Sequence, residues 1–241
     1  SRVTAYVGAA VKLAATDARR QLLATAGQIL KLPPSDLRLG GKRVIAKRRA
    51  SIAFATLAEN STAGEIIGIG ASESQRLWAG DASAAAKSHS ASGWPFGAQA
   101  VEVAIDRETG VIKLVRVASA HDLGQALNPL AVTGQIQGGI MMGLGYALSE
   151  GLIFDQGKIT NASFADYKIP TIEDIPRSTP IIVEKKYSSE PYGAKGVGEM
   201  SVFGIAPAVA NALARATGVR LKELPMSAEK LLEQLKQAKE K

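Results

Sequence analysis

Apolar side chains recur every three or four residues from Thr4 to about Leu30, at Val7, Val11, Ala14, Ala18, Leu22, Ala26 and Ile29. That spacing keeps one face of a helix apolar and predicts a long amphipathic helix, closed by Pro33 and Pro34. The following LRLGGKRVIAK alternates on either side of Gly40 and Gly41 as the arms of a hairpin do, and Ser51 stands where it would cap a short helix through Leu57. Residues 72 to 97 are rich in Ala, Ser and Gly without a clear period and read as an irregular connection. Val101, Val103 and Ile105 then alternate, DRETG turns, and VIKLVRVAS runs back, a β-hairpin that leads into the polar corner AHDLGQALNP.

Asn128 followed by Pro129 marks a helix start, and the apolar pattern carries that helix to about Ser149. LIFD and IIVEKKY read as strands flanking the proline-bounded DYKIPTIEDIPRSTP; a helix from Ala206 to Ala216 stops at Gly218, and Ser227 caps a last one. Helices and hairpins interleave without βαβ regularity, so the predicted class is α+β, a mixed sheet with packed helices. Gly134, Gly138, Gly139, Gly143 and Gly145 lie inside the helix that Asn128 opens. Each costs about 1 kcal/mol relative to alanine, so another group must approach that backbone closely.

The 241 residues, 46% hydrophobic, suffice for one large domain or two small ones, and a soluble globular protein is expected. No apolar run of membrane-spanning length occurs, and SRVTAYVGAAVKL lacks the pattern of a secretory signal, so neither a membrane span nor export is expected, and a cytoplasmic location is. A net charge of +7 raises the question of nucleic acid, but the basic residues are scattered in small groups and only 5% of residues are aromatic, which argues against it. With no cysteine and only His89 and His121, the chain offers no thiolate metal site; a metal here would have to be carried by something other than the polypeptide's soft ligands.

Two stretches could carry chemistry. PYGAKGVGEMSVFG holds glycines around Lys195 and ends on Glu199 at a loop-to-helix boundary. It is no Walker A loop, because no Ser or Thr follows a Gly-Lys pair at a helix start. A glutamate near a helix N-terminus is biased toward its ionised form, which suits a proton acceptor, although an arbitrary glutamate there more often only balances the dipole. The second stretch places Gln135 beside Gly134 on the face that Gly139 shares; an amide there can read a heterocycle edge, or the glycines can serve close packing alone. Met141 and Met142 fit the core.

HDLGQALNP, GQIQGG with GLGYALSEG, DYKIPT, GAKGVGE and APAVANALARATGVRLKELPMSAEKLL, in that order, resemble the C-terminal part of the molybdopterin-binding large subunit of the xanthine dehydrogenase and aldehyde oxidoreductase family, the molybdenum hydroxylases. The opening SRVTAYVGAAVKLAA resembles the family's Ser-Arg stretch and the helix after it, so the resemblance spans nearly the whole chain. It implies the second lobe of the molybdenum cofactor-binding domain, a C-terminal portion over residues 1–241 with halves at about 1–95 and 96–241. Residue by residue, it implies Glu199 as the catalytic base beside molybdenum and Gln135, with Gly134, as a hydrogen-bonding contact to the cofactor. Ser1, Arg2, Lys195, Gly196, Val197 and Gly198 would line the pterin and its phosphates, and no protein residue would ligate the metal. Gln137 departs from the family's usual acidic residue, and MSVF follows Glu199 where many relatives carry PPL.

The implied activity is oxidative hydroxylation of an aldehyde or an N-heterocyclic or aromatic small molecule, with molybdenum-molybdopterin, in the plain or the cytosine dinucleotide form, as cofactor. The family's preceding glycine-rich and MGQG-type stretches, cysteines for iron–sulfur clusters and a flavin site are not in this sequence. The resemblance therefore implies a hetero-oligomer in which the remainder of the large subunit, an iron–sulfur chain and an FAD chain complete the enzyme. The chain would be a separately encoded subunit or, given the abrupt Ser-Arg start, the C-terminal piece of a cleaved one. The alternative is a binding or assembly module derived from the family and without chemistry.

Overall fold

The computed structural model describes residues 3–47, 50–71, 95–185 and 191–239. They fall into two units, residues 3–71 and residues 95–185 with 192–239. The connection expected over residues 72 to 97 lies, except for its last three residues, outside the described residues.

The first unit opens with helix α1 (Val3–Leu30). Only its C-terminal half buries the predicted apolar stripe: Leu22, Leu23 and Ala26 pack with Leu37, Val44, Ala46 and Leu57, whereas Val7 and Val11 are exposed. A three-stranded antiparallel sheet of β1 (Leu37–Gly40), β2 (Arg43–Ala46) and β3 (Ser51–Ala53) covers that half. The hairpin turn is Gly41-Lys42 rather than Gly40-Gly41, both residues having positive φ (57° and 60°) as a tight two-residue turn demands. Ser51 is no helix cap: it pairs with Ile45 in β3, and α2 (Phe54–Glu59) starts after Ala53. Beyond α2 the chain returns along α1, where Gln21 Nε2 donates to the Ile67 carbonyl at 2.7 Å and Asp17 accepts from the Ile69 amide at 3.2 Å.

The second unit is built on β4 (Gly97–Ile105), β5 (Ile112–Asp122) and β8 (Arg177–Val183), in the order β4-β5-β8. β4 and β5 form the predicted antiparallel hairpin, with a bulge at Glu102/Val103, and β8 joins β5 in parallel, so the sheet is mixed. Pro180 sits in β8, where an edge position tolerates a residue with no N–H. β5 runs on through His121 and Asp122, which the sequence pattern assigned to the corner beyond it. A second, two-stranded antiparallel sheet consists of β6 (Phe154–Asp155) and β7 (Lys158–Ile159).

Helix α3 (Pro129–Leu148) starts as predicted, with the Asn128 side chain accepting from the Ala131 amide at 3.0 Å. A single turn, α4 (Met200–Phe203), leads into α5 (Ile205–Thr217), which ends at Gly218 with φ 79°; α6 (Ala228–Lys239) closes the chain after Ser227. Ile136, Ile140, Leu144, Ile205, Val209, Leu213, Met226 and Leu231 form the core with Leu114 and Val117 of the sheet. The class is α+β with a mixed sheet and packed helices, and among the described residues no helix is long and apolar enough to cross a membrane.

The glycines of α3 divide by side. A Cβ at 143 would lie 2.7 Å from Ile205 Cβ and 2.8 Å from the Val202 carbonyl, and one at 139 would collide with Ser201, so α4 and the start of α5 rest on bare backbone. At Gly145 the obstacle is Glu150, which accepts from Tyr167 Oη at 2.7 Å and so joins the GLGYALSEG and DYKIPT stretches. Gly134 and Gly138 face open space. Gly143→Ala should lower stability by about 1–3 kcal/mol through overpacking, whereas Gly138→Ala should raise it by up to about 1 kcal/mol through helix propensity. Urea unfolding midpoints of the two variants test this difference in sign.

Candidate functional site

The loop that carries the predicted site residues is tied to the corner after β5. Gly124 and Ala194 form a β-bridge, the Lys195 amide donates to the Leu123 carbonyl at 2.8 Å, and the Gln125 amide donates to that of Gly193 at 2.9 Å. Gly124 has φ 64° and no room for a side chain, because a Cβ there would strike the Gly193 carbonyl. HDLGQALNP and GAKGVGE, far apart in sequence, thus form one structure.

Lys195 is only 6% exposed. Its Nζ lies 2.6 Å from Asp122 Oδ2 and 5.8 Å from the centre of the Phe96 ring. Burial by itself would raise the Asp122 pKa, but the hydrogen bonds from Lys195 and the Gly124 amide, with the charges of Lys195 and Lys185, hold it below the ordinary carboxylate value. The lysine's charge is therefore spent inside the protein, and what the loop offers from residue 195 is backbone.

Past the half-buried Gly196, Val197 and Gly198, exposed Glu199 stands as the residue before α4 and does not cap it with its side chain. The helix it opens is a single turn. Ser201, 2% exposed, is pressed onto α3 at Gly139 and donates from Oγ to the Gln135 carbonyl at 3.3 Å. Gln135 is exposed beside Gly134. The elements bearing Glu199 and Gln135 are thus in direct contact, through a residue that sequence reading passed over.

Ser1 and Arg2 lie outside the described residues. Gln137, which replaces the usual acidic residue, is exposed, with its Nε2 3.4 Å from Ser178 Oγ of β8. Asp122 and Ser201 were missed as site residues. Continuing the β5 alternation past Val117 would have marked the end of that strand as structured, but nothing local pointed to Ser201.

Residues 1–176 match the family model of the molybdopterin cofactor-binding domain. The chain belongs to that family. It is 37% identical over 141 residues (58% of this chain, 19% of the relative) to the xanthine dehydrogenase molybdenum-binding subunit of Escherichia coli O157:H7. It is 31% identical over 235 residues (95% of this chain, 23% of the relative) to the protein named probable hypoxanthine oxidase of Escherichia coli (strain K12). Among solved structures, reconstituted CO dehydrogenase from Oligotropha carboxidovorans superposes with a TM-score of 0.77 at 25% identity, over 95% of this chain and 28% of that one. The chain thus spans about a fifth to three tenths of these proteins. It is a fragment of the length of a molybdenum hydroxylase large subunit, and its family is that of the xanthine dehydrogenase and aldehyde oxidoreductase enzymes.

The surface of α3 around Gln135 has features that would fit a molybdopterin group. Gly134 and Gly138 leave one side of α3 bare around the exposed Gln135 amide, a surface that side chains would otherwise fill. Among the described residues no group of three or more His, Cys, Asp or Glu could hold a metal ion.

Because its folded pKa is depressed, Asp122 stabilises the fold above its unfolded value of about 4, and that contribution disappears as pH falls through the lower folded value. Asp122→Asn should lower stability at pH 7, where it removes the charge that faces a buried ammonium. It should also flatten the decline of the urea midpoint below about pH 4, which parallel titrations of parent and variant would measure.

Proposed function

We propose that this chain is the part of a molybdenum hydroxylase large subunit that presents the catalytic base, Glu199, and one wall of the molybdopterin pocket. Gln135 would hydrogen-bond the cofactor through its amide, with Gly134 leaving room for close approach. The backbone of Lys195, Gly196, Val197 and Gly198, with Ser1 and Arg2, would border the pterin and its phosphate, in the plain or the cytosine dinucleotide form. The proposed portion runs over residues 1–241, with halves at about 1–95 and 96–241.

When bound, the molybdenum cofactor would supply the redox centre that accepts two electrons from the substrate. With water as the source of oxygen, Glu199 would accept a proton as the substrate carbon exchanges its C–H bond for a C–O bond and gives up two electrons. Its place in an exposed loop lets the carboxylate reach a small molecule, and its anchorage through Ser201 limits its wander. The proposed substrate is an aldehyde or an N-heterocyclic or aromatic compound. The remainder of the large subunit, an iron–sulfur chain and an FAD chain would complete a hetero-oligomer in the cytoplasm.

The observation that carries this reading is the contact of Glu199's helical turn with Gln135's helix through Ser201 and Gly139. An acid and an amide from separate motifs are thereby held on neighbouring elements, as a shared ligand requires. In the complete enzyme, Glu199→Gln should lower kcat by about 10²–10⁴-fold, the usual worth of a positioned base, with molybdenum content at the parental level. Parental turnover would overturn the assignment. The chain purified alone should bind molybdenum cofactor poorly, because the rest of the pocket is absent; a stoichiometric metal content by elemental analysis would contradict that.

A further inference from the structure

The inner face of the β4–β5 hairpin is apolar through Val101, Val103 and Val117, but its far end is polar. The register sets Gln99 opposite Ser119 and Gly97 opposite His121. Gln99 Nε2 donates to Ser119 Oγ at 2.8 Å and to the Ser201 carbonyl at 2.7 Å, and Ser119 Oγ lies 2.7 Å from His121 Nε2. Ser119 is fully buried and His121 is 2% exposed.

Chemistry fixes the direction of the first bonds of this cluster. The Ser201 carbonyl can only accept, so the amide must turn its NH2 group toward it. That NH2 also occupies one lone pair of Ser119, whose Oγ is bonded in turn to His121 Nε2, with donor and acceptor set by the imidazole's tautomer. Burial favours the neutral imidazole by pushing its pKa down.

The cluster carries a cost. Gln99 Oε1 and His121 Nδ1 are buried without a hydrogen-bond partner, and an apolar cluster would leave no such orphans. Glycines make room for it at both ends: a Cβ at 97 would lie 2.5 Å from His121 Nδ1, and one at 204 would run into Gln99 Oε1. Ser201 is thus gripped from two sides, through its carbonyl by the sheet and through its hydroxyl by α3.

We propose that Gln99, Ser119 and His121 are positioning residues for Glu199: they hold the turn two residues beyond it and so fix the carboxylate relative to Gln135. This rests on the reading of Glu199 as the base.

The test uses the full-length protein in its native complex, with Gln99→Met, Ser119→Ala and Glu199→Gln variants. Gln99→Met keeps the side-chain length, removes both donated bonds and deletes an orphan acceptor. Amide hydrogen exchange over residues 200–204 should accelerate about tenfold, roughly the worth of one or two hydrogen bonds, while exchange in the β4–β5 hairpin stays within about twofold of the parent. kcat should fall about 10–100-fold, the scale of a small misplacement of a reacting group, with KM within about twofold and molybdenum content parental. Ser119→Ala should act in the same direction and more weakly, and it keeps the test open if the first variant folds badly. Unchanged exchange over 200–204 in both variants would overturn the proposal. So would accelerated exchange with parental kcat in an enzyme that Glu199→Gln inactivates, since the cluster would then be structural only. If Glu199→Gln itself turns over at the parental rate, the base assignment has failed and the catalytic role of the cluster falls with it.

Discussion

The close approach of Ser201 to the backbone of α3 at Gly139 is the constraint on which the candidate site depends. With any larger residue at 139, α4 would be lifted from the helix and the Ser201 to Gln135 bond would be lost. Gly143 extends the same contact to Val202 and Ile205, so the turn after Glu199 and the first turn of α5 are seated together. Glycines in a helix interior are unfavourable alone, and here that penalty is offset by packing that no alanine would allow. Gly145 meets Glu150, whereas Gly134 and Gly138 meet nothing among the described residues.

The loop before Glu199 is held by a different kind of interaction. Lys195 and Asp122 form a buried ion pair beside a backbone bridge that admits only glycine at 124. Ion pairs of this sort add little net stability over apolar packing but enforce one geometry, because either partner alone is strongly penalised. The loop is thereby anchored at Ala194 and Lys195 on one side and at Ser201 on the other, and the stretch between them, ending at Glu199, is suspended from two fixed points. An acid meant to meet a small molecule needs this combination of access and restraint.

Several features look odd in an isolated chain. A bare glycine surface around an exposed amide, and a polar cluster with orphaned buried atoms under a catalytic candidate, are poor choices for stability alone. They are intelligible where the surface is shared with a ligand and where direction matters more than the strength of packing. The chain spans about a fifth to a quarter of the length of these relatives.

Elements governed by neighbours in sequence were legible without coordinates. The Asn128 cap, the β4–β5 alternation, the Gly218 stop and the length of α1 follow from local sterics, capping and side-chain period. Local reading failed where a longer-range partner won: Ser51 entered a strand because β2 was there to pair with it, and the N-terminal half of the α1 stripe stayed exposed. Glu199, Gln135 and the Lys195 loop could be nominated from motif order alone, yet nothing near them in the chain reveals what they touch. Lys195 meets Asp122 across 73 positions, Ser201 meets Gln135 across 66, and Gln99 meets Ser201 across 102. The one-dimensional sequence therefore determined the elements and the candidate residues, whose causes lie within a few positions. Only the tertiary structure decided which of them lie on touching elements, because the hydrogen bonds and close contacts that join them exist once the chain has folded back on itself.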